Sequence, residues 1–563
     1  MRDGSGFRDR LATWLVRHAT RVMPSSRSTW ADAMRSEFEH VKEQPGALAW
    51  VAGCVMASYR ALLADLWRGH AHEGLRQLTI SSVAVAVIGY AMVNRACGQT
   101  APPTFTDTAC ALPHITPDMT PRLRCGVVDV PRDYAHPEAG RYQLAVVVIR
   151  SEHQPAAPDP VVYMSGGPGA PLTINTAYQA AHPLAAGRDI LLVDQRGTGR
   201  SEPALCPSLA GRFADAIVEA AIDPAAEEKR RALFADCRKQ AISQGIDLTN
   251  FGTQVTVEDF DRVRQALGIG LWNLFGVSYG TTSAMTYMAR HPETVRSAVL
   301  DSINPPDPIL PPWSATVADA VAAFLASCGA DASCNAMYSD LARTYRDTVD
   351  QLRKTPLSFP LPPGLHGFDD HGPLTATLFE EVVGRMVYYP RFYPGLPRLI
   401  AHVHEGNTSD FATATATLLA GARNRDTGLS FSANTAVECR DRPRFHEPLG
   451  PNAGGLDRIS LLYDVCGDWV QLGPPSLVPI GTVIPTLIVA GQFDPNARPT
   501  ASRGVAELIG PHVQWIEFAG AGHSVRSTTP CAARIVAAFY DNPTTPVDAT
   551  CATRPASVRF LPP

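Results

Sequence analysis

Five residues, Gly276-Val277-Ser278-Tyr279-Gly280, constrain this chain more than any others. They follow the apolar run Leu271-Trp272-Asn273-Leu274-Phe275 and precede a helical stretch, Thr281–Arg290. A glycine two places before the serine and another two places after it describe a turn too sharp for side chains at those places. In return the serine hydroxyl projects clear of the backbone, at the start of a helix whose dipole favours nearby negative charge. Three fixed positions in five recur by chance in long chains, so the reading depends on what else the chain supplies.

A serine is a weak nucleophile at its free pKa and needs a base, which in turn needs an orienting acid. On a strand–turn–helix serine these follow in the order acid, histidine. Val483–Gly491 reads as a buried parallel strand, and Gln492-Phe493-Asp494-Pro495 comes next. That sets Asp494 at a strand's C-terminal end, where functional groups gather in open α/β sheets. A helical stretch over 502–509 leads to a second strand, Val513–Phe518, and then to Ala519-Gly520-Ala521-Gly522-His523-Ser524. Ser278 is read as the nucleophile, His523 as the base, and Asp494 as the acid that fixes the imidazole tautomer. Asp301, closing the strand 297–301, competes for the last role; the one strand–helix unit between Asp494 and His523 favours Asp494. The expected fold is that of an α/β-hydrolase, a mostly parallel sheet with helices on both faces.

Acyl chemistry also needs donors for a developing oxyanion. The backbone N–H of Tyr279 is one. The other is expected from the glycine loop after Val161-Val162-Tyr163-Met164, with Gly167 favoured over Gly166. The Gly197-Thr198-Gly199 pair lacks the third glycine and the βα context of a dinucleotide fingerprint, so no nucleotide cofactor is expected. No cysteine pair has zinc-site spacing, and no metal is expected. A net charge of −5 without basic clusters argues against nucleic acid as a partner.

Taken in order, Ser165-Gly166-Gly167-Pro168-Gly169, Asp194-Gln195-Arg196-Gly197-Thr198-Gly199-Arg200-Ser201, the serine pentapeptide, Gly491-Gln492-Phe493-Asp494-Pro495 and Gly520-Ala521-Gly522-His523 resemble the prolyl iminopeptidase and tripeptidyl aminopeptidase branch of the α/β-hydrolases. Within it the likeness is to secreted bacterial tripeptidyl-aminopeptidase-like proteins, over residues 110–555. Cys125–Tyr134 resembles the opening strand of that group, and the stretch from Cys531 to Cys551 its C-terminal segment. Ser165 departs from the histidine that many relatives carry there. The resemblance implies a serine aminopeptidase acting on peptides, whose carboxylates receive the substrate's α-ammonium. Glu438 and Asp441 are candidates for that task. So are Glu380 and Glu381, for which helix-surface charges or local ion pairs are an equal reading.

Between Asp301 and Asn434 the strand pattern lapses into helical stretches and a Pro-rich segment, 357–373. We therefore expect a core in two parts, 119–304 and 436–563, split by a helical cap over 305–435. Before the core, 96–118 reads as a Pro-rich linker. Leu78–Val93 carries no charge and is flanked by Arg76 and Arg95. Sixteen such residues fall a little short of the roughly 20 that span a bilayer, and snorkelling arginines make up the difference. A single transmembrane helix is expected over 78–95. Residues 1–77 hold Arg2, Arg8, Arg10, Arg17, Arg21, Arg27, Arg35, Lys42, Arg60, Arg68 and Arg76, which puts them on the cytoplasmic side as a helical region. The apolar stretch 46–59 stops at Arg60 and is read as interfacial or packed. The catalytic part then lies outside a bacterial inner membrane.

Ten cysteines fall in that external part: Cys110, Cys125, Cys206, Cys237, Cys328, Cys334, Cys439, Cys466, Cys531 and Cys551. An even set suits an oxidising compartment. Pairing neighbours joins Cys110 to Cys125, Cys206 to Cys237, Cys328 to Cys334, Cys439 to Cys466 and Cys531 to Cys551, although sequence does not decide connectivity. Cys54, on the cytoplasmic side, is expected to stay reduced. The leading expectation is a membrane-anchored serine exopeptidase. The alternative is a carboxylesterase or other acyl hydrolase taking small esters with the same three residues. A membrane-anchored binding protein without catalysis ranks third.

Overall fold

Fully buried parallel strands read as continuous apolar runs, because helices cover both of their faces. The computed structural model describes residues 103–563, except 208–209, 224–225, 308–310, 366–369, 424–427, 450–454, 459–461 and 555–557, together with scattered positions between 13 and 58. The chain divides into two units, 1–102 and 103–563. In the first, Val16, Phe38 and Val51 are buried against one another, so the described part of 46–59 is packed. The transmembrane segment expected over 78–95 lies outside the described residues.

The strands of the second unit are β1 (Phe105–Thr108), β2 (Leu123–Pro131), β3 (Arg141–Ile149), β4 (Val161–Met164), β5 (Ile190–Val193), β6 (Trp272–Val277), β7 (Val295–Asp301), β8 (Leu357–Pro360), β9 (His371–Leu374), β10 (Thr486–Gly491) and β11 (Val513–Phe518). Nine of them form one sheet in the order β1-β2-β3-β5-β4-β6-β7-β10-β11, and β8 pairs with β9 separately. Pairing is parallel from β5 through β11 and antiparallel from β1 to β5. Every residue of β4, β5, β6 and β10 is buried, as their apolar runs require.

The longer helices are α1 (Ala210–Ile222), α2 (Ala226–Ser243), α3 (Thr253–Ala266), α4 (Tyr279–Arg290), α5 (Trp313–Ala330), α6 (Leu341–Lys354), α7 (Ala376–Tyr388), α8 (Leu396–His404), α9 (Ser409–Arg423), α10 (Phe431–Asp441), α11 (Leu462–Trp469), α12 (Pro499–Ile509) and α13 (Pro530–Asp541). Side chains alternate across a strand, and the two faces feed two cores. Leu274 and Ile488 meet Phe260 of α3, Tyr287 of α4 and Ile509 of α12 on one side. On the other, Phe275, Leu487 and Val489 meet Val536 and Phe539 of α13.

Two features differ from the sequence expectation. The segment 96–118 is not linker throughout, because β1 pairs antiparallel with β2, Phe105 opposite Val128. The ring of Phe105 fills the space beside Gly126, where a Cβ would lie 2.4 Å from it. Four residues between prolines carry too little pattern to stand out as a strand. The second difference is that α1, inside the expected first core segment, packs with the insertion. Ala214, Ala221 and Ile222 of α1 join the core of α5–α9, while Phe213 and Phe234 pack with Ala436 of α10 and Trp469 of α11. Apolar residues on two faces of α1 make it a bridge between these layers.

Among the described residues α5 is the one helix long and apolar enough to cross a membrane. Its Val317, Ala320, Val321, Phe324, Leu325 and Cys328 are buried within the insertion, which makes it a core helix here.

Neighbouring cysteines are joined throughout this unit. Cys110 is bonded to Cys125, beside the β1–β2 pair, and Cys206 to Cys237 of α2. Cys328 closes on Cys334 at the end of α5, and Cys439 of α10 is bonded to Cys466 of α11. The last bridge, Cys531–Cys551, ties the start of α13 to the C-terminal segment. All five match the neighbour pairing read from sequence, and Cys54, in the first unit, is buried and takes part in none of them. Such bridges persist outside the cytoplasm and point to an extracellular or periplasmic setting for the second unit.

Candidate active site

Ser278 stands between β6 and α4 with φ 56° and ψ −128°, a conformation that costs a non-glycine residue roughly 1–3 kcal/mol. The flanking glycines make it attainable. A Cβ on Gly276 would lie 2.6 Å from the Gly280 carbonyl oxygen, and one on Gly280 would lie 1.9 Å from that of Met164. The Ser278 N–H donates to the Asp301 carbonyl at 3.0 Å, which ties the turn to β7.

Asp494 follows β10, is wholly buried, and brings its two carboxylate oxygens to 2.9 and 2.8 Å from His523 Nδ1. The Asn496 and Ala497 N–H groups donate to its Oδ1 at 2.8 and 3.0 Å. Burial opposes the charge, but His523 and these hydrogen bonds outweigh it and hold the carboxyl below the usual range. Asp301 does not compete for the imidazole. Its oxygens accept the N–H groups of Val525 and Arg526 at 2.8 and 2.9 Å, fixing the segment after His523, and burial pushes its carboxyl up.

Serine and histidine are not joined by a hydrogen bond. His523 Nε2 has no partner among the described residues, while Ser278 Oγ accepts from Asn496 Nδ2 at 3.3 Å. The ring of Tyr388, at the end of α7, stacks on the imidazole with centroids 4.1 Å apart and planes 27° apart. Neither Asn496 nor Tyr388 stands out in the sequence. Asn496 was within reach of reasoning as the second residue after the acid, in a turn closed on Asp494; Tyr388 carries no motif.

The glycine loop after β4 runs against Ser278. A Cβ on Gly166 would lie 2.8 Å from Ser278 Cβ, and one on Gly167, at φ 109°, would lie 2.6 Å from Leu429 Cδ1. Ser165 Oγ donates to the Ala170 carbonyl at 2.9 Å and so supports the loop. The insertion clamps it from outside, with Ser430 N–H on the Gly169 carbonyl at 2.9 Å and Asn434 Nδ2 on that of Pro168 at 3.1 Å. The N–H groups of Gly167 and Tyr279 donate to no backbone carbonyl among the described residues.

The motif 194–201 proves architectural. Asp194 accepts the N–H groups of Leu172, Thr173 and Arg200 at 2.6, 2.9 and 3.0 Å. Arg196 makes a two-point bond to buried Asp259 at 2.6 and 2.7 Å, and its remaining N–H groups reach the carbonyls of Pro131, Arg132 and Asn250.

The ammonium candidates separate. Glu438, buried on α10, accepts from Arg442 Nε at 2.6 Å; burial raises its carboxyl and Arg442 opposes the rise. Arg442 also holds Asn304 Oδ1 at 3.0 Å and Asp307 Oδ1 at 3.2 Å. Asp441 is turned to the start of α3. Both its oxygens accept the Thr253 N–H, at 3.2 and 2.9 Å, and Oδ2 also takes the Thr253 hydroxyl. Thr253 Oγ1 lies 2.7 Å from the Tyr279 hydroxyl. Burial pushes the Asp441 carboxyl up to about 7. Glu381 is held by Trp313 Nε1 at 3.1 Å and Arg385 Nε at 2.7 Å, and Glu380 lies 3.6 Å from Arg353 Nη2. These two are local pairs.

A strand–turn–helix serine, a buried aspartate–histidine pair on later strands and a glycine loop beside the serine form one cluster at the C-terminal edge of the sheet. A tripeptidyl aminopeptidase of Streptomyces coelicolor is 33% identical over 199 residues, which are 33% of this chain and 36% of that one. A proline iminopeptidase of Neisseria gonorrhoeae is 30% identical over 150 residues, 26% of this chain and 32% of the relative. The chain thus spans about a third of the length of these curated relatives. The family model described as alpha/beta hydrolase fold matches residues 159–526, well over half of the chain. The sheet order, the sharp turn at Ser278 and that match together say that this chain belongs to the alpha/beta hydrolase fold family.

Proposed function

We propose that the chain is a serine exopeptidase that removes single residues or short peptides from the N-termini of its substrates. The observation that carries this reading is the buried Asp494–His523 pair, with contacts of 2.8 and 2.9 Å, beside a serine held in left-handed backbone. Ser278 Oγ attacks the scissile carbonyl while His523 Nε2 takes its proton. Asp494 keeps the proton of the neutral imidazole on Nδ1 and stabilises the imidazolium. The Tyr279 and Gly167 N–H groups receive the oxyanion, and two such donors in a dry site contribute several kcal/mol to the barrier. His523 then protonates the leaving amine, and water releases the acyl group from Ser278 by the reverse path. The relatives named tripeptidyl aminopeptidase and proline iminopeptidase support the substrate class.

Glu438 is the carboxylate proposed to receive the α-ammonium, since Arg442 Nε engages only its Oε2. Asp441, engaged by Thr253 through both oxygens, is the weaker candidate of the pair. Acetylating the substrate amine is expected to lower kcat/KM at least about tenfold, because a buried carboxylate left without its cation costs more than about 1.4 kcal/mol. Glu438→Gln should reproduce that loss on free-amine peptides and spare small esters. A chromogenic panel of free and acetylated peptides and esters checks this. Equal cleavage of free and acetylated peptides, or cleavage of esters alone, would replace the aminopeptidase by a carboxylesterase or other acyl hydrolase.

The anchor belongs to the same proposal. Residues 78–95 hold the catalytic unit to the outer side of a bacterial inner membrane, with 1–77 in the cytoplasm. Support comes from the arginines crowded before Leu78, against Arg95 alone between Val93 and Arg122, and from the five bridges of the catalytic unit. A phosphatase reporter fused after Gly98 is expected to be active; a reporter that works only in the cytoplasm at that place overturns the anchor.

A further inference from the structure

In a resting acyl-transfer site the serine hydroxyl ordinarily meets the imidazole. Here Ser278 Oγ is engaged by Asn496, while His523 Nε2 is buried without a partner among the described residues. The imidazole is packed against one residue of the helical insertion, Tyr388. Tyr388 is fixed there by its backbone as well as its ring. Its carbonyl accepts the His523 N–H at 3.1 Å, and the Tyr393 hydroxyl donates to the neighbouring Val387 carbonyl at 2.9 Å. A Cβ on Gly522 would lie 2.8 Å from the Tyr388 carbonyl oxygen and 2.5 Å from the Tyr393 hydroxyl. The turn after α7 is therefore fitted onto the histidine loop with no space for a side chain between them.

We propose that Tyr388 is the positioning residue through which the insertion sets the alignment of nucleophile and base. The inference rests on the Ser278–His523 reading above. Asp494 fixes the imidazole at its Nδ1 edge, which leaves the plane of the ring free to turn about that contact. The face contact of Tyr388, at 4.1 Å and 27°, removes that freedom. Asn496 Nδ2 holds Ser278 Oγ in its resting place. When Oγ turns to Nε2, the imidazolium that forms faces an aromatic ring able to stabilise a cation. Burial pushes the phenol far above its usual value, so the hydroxyl keeps its proton throughout the working range of a hydrolase.

Two substitutions in the full chain separate ring from hydroxyl. Tyr388→Phe keeps the stacking and should retain kcat within about threefold of the parent, the rescue expected of a conservative variant. Tyr388→Leu removes the ring, so kcat should fall at least about tenfold with KM changed by less than about threefold. Equal losses of kcat in both variants, or a Leu variant that keeps the parental kcat, overturn the role of Tyr388. Should the Leu variant fail to fold, Tyr388→Met, which also lacks a ring, is read against Tyr388→Phe in the same way. A parent protein that a fluorophosphonate does not label at Ser278 removes the catalytic reading and this inference together; a labelled parent whose ring-less variant keeps its kcat removes only this inference.

Discussion

Ser278→Ala is expected to abolish covalent capture by a fluorophosphonate probe and to lower kcat/KM by about five to six orders of magnitude. The loss is chemical, because alanine at 278 can take the same φ of 56° between the same two glycines, and the fold should melt at the parental temperature. What remains is the contribution of the oxyanion donors and of substrate binding, which in serine hydrolases persists without the nucleophile. Intact-protein mass spectrometry after labelling, together with turnover of the best substrate of the chromogenic panel, measures both effects. Equal labelling of the alanine protein would assign the nucleophile elsewhere.

The second large effect is at the acid. Asp494→Asn should lower kcat by about 10⁴, because a neutral amide can donate to Nδ1 and stabilise the tautomer that leaves Nε2 protonated. Asp301→Asn is expected to behave differently although Asp301 is equally buried. Its oxygens hold the N–H groups of Val525 and Arg526, and an amide there offers an N–H to an N–H. The folded protein should keep kcat within about tenfold while its melting temperature falls, since a buried polar group left unpaired costs roughly 1–3 kcal/mol. Comparable losses of kcat per folded molecule in the two variants would contradict the division of labour between these carboxylates.

The parts of this site that sequence discloses are those set by local rules. A glycine on each side of Ser278 is demanded by backbone clearance, and the chain order of Asp494 and His523 follows from where parallel strands end. The neighbour pairing of cysteines, from Cys110–Cys125 to Cys531–Cys551, also matches the bridges formed. What sequence does not disclose is set by packing between segments far apart in the chain. Tyr388 meets His523 only because the insertion folds back over the sheet, and no periodicity in α7 marks its last residue. Asp441 reads from sequence as a candidate for the substrate's ammonium, yet the approach of α10 to α3 buries it against Thr253. The affinity of α1 for the insertion is hidden for the same reason: an apolar helix does not say which neighbour it will meet.

The order of strands in the sheet has a consequence for how the chain is made. β10 lies beside β7, Thr486 opposite Ala298, although the whole insertion separates them in the chain. Asn496 reaches Ser278 across 218 residues. While synthesis passes through the insertion, β7 carries a row of unsatisfied backbone groups, the state in which a half-made protein pairs with the wrong edge. Long-range pairing of this kind is slow. The five disulfides are not subject to that delay, since each joins cysteines only 6 to 31 residues apart. Each loop can close as soon as its own segment has emerged, so the four bridges that precede β10, those of α2, α5 and the α10–α11 pair among them, can form before that strand arrives to complete the sheet.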